Sequence, residues 1–249
     1  MPSSPTNPAV SKAIAIVQFI AERTSPVTVK ELSYALEVPP ASCYRMVRSM
    51  LEQNWLRQDP AGGLRIAFGL AHVARSYSEI EHALGLIQVP LQKLAQELNL
   101  SAKVTLREGH YAVTALRADP DAPNAITSQV GYRFHLTIGS AAGVLLSTLD
   151  DTRVKQVIHS APAEVWGRQT VEDVWKRIEE CRKDSICRDF GVQHPSIYAL
   201  SVPINLTSDT IASVTVVGWP EQFEDDVPEI TERLRQAAVT MRTCLDAES

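Results

Sequence analysis

Tyr44, Arg45 and Arg48 lie within one stretch, 40–53, whose apolar residues recur at helical spacing. At about 100° per residue the three fall within about 60° of Ala41, while Cys43, Met46, Val47 and Met50 collect on the opposite side. One face is apolar and the other cationic. Guanidinium groups beside a phenol suit two partners: a phosphate, through charge, and a guanine edge, through paired donors. Ala41 and Ser42, near the helix start, would enter deepest into a major groove. Two ordinary arginines on a solvated face fit the same pattern, so the decision rests on the elements around the helix.

The second chemical feature is Gly139-Ser140-Ala141-Ala142-Gly143. Small residues opening a helix expose backbone N–H groups and the positive end of its dipole, which suits an anionic ligand. Close packing of helix on sheet explains such a run equally well. Arg133 and His135 precede it and would complement a carboxylate. Tyr198, Ser201 and Thr215 fall on strands expected to flank the same cavity. Tyr198 and Ser201 differ in strand parity, so both face one cavity only if a bulge or twist intervenes.

Other chemistry is poorly supported. The histidines, His72, His82, His110, His135, His159 and His194, form none of the recognised metal spacings, and no metal or cofactor is expected. Cys43 reads as a small buried residue, and the Cys181-x5-Cys187 spacing as packing between a helix end and a strand. A G-x-S-x-G elbow and a phosphate-binding loop are both missing from the sequence. Glu179-Glu180 and Glu224-Asp225-Asp226 read as solvated charge.

The elements that must carry these residues follow from periodicity and breakers. Residues 1–9, with three prolines and no charged side chain, read as a mobile tail. Ser11 is the expected cap of a first helix. Thr28-x-x-Glu31 is a capping box opening a second, with Leu32, Ala35 and Leu36 inward. After a Pro39-Pro40 turn comes the third, then a hairpin around Asp59-Pro60-Ala61-Gly62-Gly63. This layout predicts a winged helix-turn-helix over 10–68, with Lys30 on its second helix and Arg57 and Arg65 on the wing near flanking phosphate or a minor groove. A linker helix is expected over 69–84, with Pro90 starting or kinking a further helix. Residues 85–249 read as an α+β domain on a mostly antiparallel sheet, with strands at 104–107, 111–116, 196–203 and 211–218.

Composition sets the bounds. The 249 residues are 45% hydrophobic and 21% charged, with a net charge of −5, as in an ordinary globular chain. Residues 1–68 hold seven Lys and Arg against five Asp and Glu; residues 69–249 hold 17 against 24. The N-terminal quarter is therefore the part suited to approaching phosphate. With no apolar run near the ~20 residues of a membrane span and no signal-peptide pattern, a cytoplasmic protein without membrane contact is expected.

Ser11-Lys12-Ala13-Ile14, Thr28-Val29-Lys30-Glu31-Leu32 and Val38-Pro39-Pro40-Ala41-Ser42-Cys43-Tyr44-Arg45-Met46-Val47-Arg48 together resemble the IclR (isocitrate lyase regulator) family of bacterial transcription factors. Arg45 falls on the arginine of that family's recognition helix, and Gly69 on the glycine ending its wing. Gly139–Leu146 resembles its "s-A-x-G-k-a-l-L" helix start, and Ser201-Val202-Pro203-Ile204 its "A-a-P-v" strand end. Departures are Val144 in place of a lysine, Ala199 in place of a cysteine, and a shortened loop at Gln193-His194-Pro195. The cysteine-bearing effector site of some members is accordingly not carried over.

The resemblance implies a C-terminal α/β sensing domain, GAF-like, a small organic-acid effector, double-stranded operator DNA as partner, and a homodimer or homotetramer on pseudo-palindromic half-sites. It also implies a regulator and not an enzyme. Two other readings remain at this stage: an enzyme with a helical DNA-binding accessory domain, and an architectural protein whose larger domain serves oligomerisation.

Overall fold

A computed structural model describes residues 7–74, 77–192, 194–223 and 226–248. The chain divides into two compact units, Met1–Ser78 and Glu79–Ser249.

The first unit contains α1 (Pro8–Ala21), α2 (Val29–Ala35), α3 (Pro40–Glu52), the strands β1 (Leu56–Gln58) and β2 (Leu64–Ile66), and α4 (Phe68–Ala74). Helix α1 begins earlier than the sequence suggests. Asn7, not Ser11, is its cap, accepting from the Ala9 N–H at 3.0 Å. Pro8 sits at the first helical position, where its fixed φ and missing N–H cost nothing, so residues 8 and 9 are helix and not tail. Residues 1–6 of the expected tail lie outside the described residues. The α2 capping box is present in both directions, Glu31 N–H to Thr28 Oγ1 at 3.2 Å and Thr28 N–H to Glu31 Oε2 at 2.7 Å. Those bonds hold the Glu31 carboxyl below its usual range. Leu32 is buried and Leu36 half-buried, but Ala35 is exposed.

Ile16, Leu32, Cys43, Val47 and Leu64 meet in one apolar core. The wing is tied to it by Val27, which exchanges backbone hydrogen bonds with Leu64 at 3.0 and 2.8 Å. Gly69 follows the wing because the Asn54 carbonyl occupies the space a Cβ would need.

In the second unit, α5 (Ser78–Leu98) leads into β3 (Ser101–Glu108), β4 (Tyr111–Ala118) and β5 (Arg133–His135). Then come α6 (Gly139–Ser147), α7 (Asp151–His159), α8 (Val171–Asp184), β6 (Cys187–Phe190), β7 (Tyr198–Asn205), β8 (Ile211–Gly218) and α9 (Val227–Asp246). Of the linker helix expected over 69–84, residues 75 and 76 lie outside the described residues and α4 and the start of α5 carry most of the rest, while the expected boundary at 84/85 falls inside α5, which runs on through Pro90. Strand β5 was not foreseen, and of β6 only a strand at Cys187 was expected; at three and four residues they are too short to show alternation.

All pairings in this sheet are antiparallel, in the order β5-β4-β3-β8-β7-β6. Its two faces differ in chemistry. Even-numbered residues of the central strands, such as Val104, Leu200, Val214 and Val216, build the main core with α5 and α9. Odd-numbered ones, Thr105, Ser201, Ser213 and Thr215, put buried hydroxyls on the other face, where α6 packs. Helix α6 needs small residues to lie there: a Cβ on Gly143 would strike the Cys187 sulfur and the Arg177 side chain. Among the described residues no helix is long and apolar enough to cross a membrane.

Candidate nucleic-acid interface and ligand cavity

Helix α3 buries Cys43, Val47 and Met50 and leaves Tyr44, Arg45 and Arg48 exposed, as its periodicity requires. Between α2 and α3 runs a surface groove to which Lys30, Ala41, Tyr44 and Arg45 all contribute. Arg45 makes one long contact, to Ser42 Oγ at 3.4 Å. Arg48 is held by an acid one turn on, with Nε 3.0 Å from Glu52 Oε1. The wing places Arg57 directly opposite Arg65. Like charges facing each other across a hairpin repel, and an anion beside them relieves that. Arg65 also donates to the Thr24 carbonyl at 3.1 Å, fastening the wing to the α1–α2 turn.

The second unit holds a cavity of about 190 Å³ on the hydroxyl-bearing side of the sheet, at the start of α6. Gly139, Ser140 and Ala141 form one wall and Thr215 and Val217 another, with Lys103 and Asp189 as the charged residues. Tyr132 and Phe134, stacked at 5.9 Å, also border it. Ser201 lies behind the cavity wall. Its hydroxyl donates to Ser140 Oγ at 2.8 Å and is 2.8 Å from Thr215 Oγ1, joining α6 to β7 and β8.

Both units correspond to known protein families. Residues 79–243 match the family model described as the C-terminal domain of the bacterial transcriptional regulator IclR, and residues 9–60 match that of the IclR helix-turn-helix domain. The chain belongs to the IclR family. The HTH-type transcriptional regulator KipR of Bacillus subtilis (strain 168) is 22% identical to it over 239 residues, 94% of this chain and 95% of KipR. The Pca regulon regulatory protein of Pseudomonas putida is 20% identical over 214 residues, 83% of this chain and 72% of that protein. The Thermotoga maritima IclR structure superposes with a TM-score of 0.69 at 15% identity, covering 95% of this chain and 98% of that one. An IclR homolog from Microbacterium hydrocarbonoxydans, complexed with 4-hydroxybenzoate, superposes at 0.72 with 16% identity, covering 96% and 99%. At such identities the structures establish a common fold. As an IclR-family regulator, the protein binds DNA through its helix-turn-helix domain and carries a C-terminal effector-binding domain.

Within this IclR domain the expected cavity residues divide. Gly139, Ser140, Ala141 and Thr215 border the cavity. Tyr198 does not: the β7 register is uninterrupted, so Tyr198 lies on the opposite face from Ser201, its ring 4.9 Å from Phe190 and 6.0 Å from Phe223. Arg133 and His135 also point away, because Phe134 between them takes the cavity side of β5. Arg133 lies over the Tyr111 ring at 4.0 Å. His135 is buried: its Nδ1 accepts from the Thr137 N–H at 3.3 Å, which leaves the proton on Nε2, 3.3 Å from Ser160 Oγ. Burial, helped by the nearby His110, lowers its pKa to about 4, so it offers no positive charge at neutral pH.

The cation bordering the cavity is Lys103, for which the sequence analysis carries no expectation. It occupies a central strand, 5.6 Å from the Phe134 ring centroid and 3.4 Å from Ser128 Oγ, and burial pushes its pKa down. The signal was there in Ser101-Ala102-Lys103-Val104-Thr105-Leu106, where polar and apolar residues alternate and a lysine takes an inner position. Asp189 is buried, accepts from the Val192 N–H at 3.0 Å, and lies on the short strand β6.

Proposed function

We propose that this regulator reads operator DNA with α3 and is switched by a small organic acid bound in the cavity beside Gly139. Arg45 carries most of the base recognition, supported by Ala41, Ser42 and Tyr44. Lys30, Arg48, Arg57 and Arg65 contact phosphate along the flanks. A cavity-bound ligand alters DNA affinity by preferring one state of the protein over another. The observation that carries this reading is the lined cavity at the start of α6, on a domain joined to an exposed arginine-bearing reading helix. The 4-hydroxybenzoate in the Microbacterium structure supports an acid as the effector class. The role is regulatory and not catalytic.

The regulator acts as a homodimer or homotetramer on a pseudo-palindromic site. Val10, Ile14 and Phe68 support this, being large apolar side chains exposed on the first unit. Sedimentation giving a monomer at micromolar concentration would overturn the oligomer.

The test of the whole reading is a footprint on DNA upstream of the protein's own gene, with and without a panel of small carboxylic acids that includes 4-hydroxybenzoate. Two protected half-sites, altered by one acid, are expected. Protection that no acid alters would leave a DNA reader without this switch.

A further inference from the structure

We propose that Lys103 captures a carbonyl-bearing ligand, an aldehyde or an oxo acid, as a reversible imine inside the cavity beside Gly139. The assignment rests on that cavity being the ligand site and adds the bond by which the ligand is held.

Lys103 brings the one primary amine among the residues bordering the cavity. It stands mid-sheet on β3, with β4 on one side and β8 on the other, where Thr215 is its partner in register. Its contacts are weak: Nζ is 3.4 Å from Ser128 Oγ and 5.6 Å from the Phe134 ring centroid, and among the described residues no carboxylate comes within ion-pair range. A lysine paired with an acid holds its proton and attacks nothing. One that has lost water without gaining an acid releases the proton more readily, and desolvation lowers the pKa of Lys103 in this sense. The neutral amine has the free lone pair, and desolvated lysines in apolar pockets are the ones that condense with carbonyl groups.

The step is a condensation. The Nζ lone pair attacks the carbonyl carbon while the C=O π pair passes to oxygen, and one proton moves from nitrogen to that oxygen to give a carbinolamine. The second nitrogen proton leaves with the oxygen as water, and C=N remains. Amine and carbonyl thus give imine and water, with no change of oxidation state and no further reactant. Ser128 Oγ, 3.4 Å from Nζ, is placed to relay a proton. Around the amine the walls are largely apolar, with Phe134, Ile197, Ala199 and Val217, so little water is held there to hydrolyse the product. The cavity, at about 190 Å³, suits a single ring or a short chain. Hydrolysis frees the ligand when its concentration falls, as a sensor requires.

Two measurements on the full chain test this. Calorimetric titration compares each oxo compound with its alcohol: 4-formylbenzoate with 4-(hydroxymethyl)benzoate, and 2-oxobutanoate with 2-hydroxybutanoate. In at least one pair the oxo compound is expected to bind at least about tenfold more tightly. The same oxo compound, reduced on the protein with cyanoborohydride, is expected to leave an adduct that peptide mapping places on Lys103, at a concentration at least about tenfold below that needed to label the exposed lysines. Neither measurement needs a variant. Lys103→Arg, which keeps a cation and cannot form the imine, and Lys103→Met should each lose the adduct and level the pair. Labelling of Lys103 no more readily than of exposed lysines, or equal binding within both pairs, overturns the imine; if Ala199→Phe still abolishes that binding, the cavity reading stands alone. Binding or labelling of Lys103 that persists in Ala199→Phe, or no binding of any compound, sinks both.

Discussion

Ser201 donates a hydrogen bond to Ser140 across 2.8 Å, with both side chains sealed from solvent. With that proton committed, the Ser201 oxygen accepts from Thr215, so one hydroxyl joins the start of α6 to two strands. Ser140 is therefore a packed link and not an open rim. A tryptophan there would break the contact between α6 and the sheet instead of plugging a mouth, which makes Ala199 the better position for blocking the cavity.

Ser201→Ala is expected to cost roughly 1–3 kcal/mol, because it leaves the Ser140 and Thr215 hydroxyls buried with one partner fewer. Urea unfolding at neutral pH measures it. An unchanged midpoint would mean that the hydroxyl chain contributes nothing to stability.

Arg45→Ala and Arg48→Ala should differ. Among the described residues Arg45 has only its long contact with Ser42, whereas Arg48 is already paired with Glu52. Loss of Arg45 is expected to cost ~1–3 kcal/mol of operator binding and relax sequence preference if it reads a base, or to reduce the salt slope by ~1 if it meets phosphate. Glu52→Gln releases Arg48 and removes a negative charge from the helix proposed to read DNA, so it should tighten binding to unrelated sequences. Fluorescence anisotropy across a salt series separates these effects. Equal losses for the two arginine variants would remove the Glu52 pairing as a cause.

Much of this was legible in the chain, for a physical reason. The Thr28–Glu31 capping box, the split of α3 at Cys43 and Val47 against Arg45, and the turn at Gly62 are local, set by residues within one or two turns of one another. The cavity is non-local. Lys103, Phe134, Asp189 and Thr215 meet only once four strands are in register. Two of those strands are too short to announce themselves. The parity that separates Tyr198 from Ser201 needs only spacing along the chain, and no bulge intervenes in β7 to cancel it. Arg133 and His135 are turned from the cavity because Phe134 takes the cavity side of β5, a direction that only the strand pairing sets.

His135 should make stability depend on pH. Its folded pKa is about 4 against an ordinary 6.5. Between those values the unfolded chain binds a proton that the folded chain refuses, so stability falls as pH drops through that window and levels off below it. The loss is up to roughly 3 kcal/mol. Urea midpoints taken from pH 7 to pH 4 test this, and His135→Gln should flatten the slope. Identical slopes in the two proteins would assign the acid sensitivity to other groups.

Gly143→Ala should destabilise the second unit by roughly 1–3 kcal/mol, because the added methyl meets the Cys187 sulfur and the Arg177 side chain. Arg177 is itself fixed, donating to the Thr137 carbonyl at 3.2 Å and to Gln169 Oε1 at 2.8 Å. A Gly143→Ala,Cys187→Ala double variant recovers part of the loss if the sulfur is the main obstacle. Thermal unfolding followed by circular dichroism reads both.

The order of the sheet also bears on how the protein survives at high local concentration. Its eight-residue strands, β3, β4, β7 and β8, lie inside, while the rims are β5 with three residues and β6 with four. Beyond β5, the outer side of β4 is covered by Gly131 and Tyr132, which exchange backbone bonds with Thr114. A bare strand edge is a template on which another copy can polymerise. Here so little edge is left open that runaway strand addition has almost nowhere to start. Because β6 is both a rim and the bearer of Asp189, one four-residue strand borders the cavity and also ends the sheet.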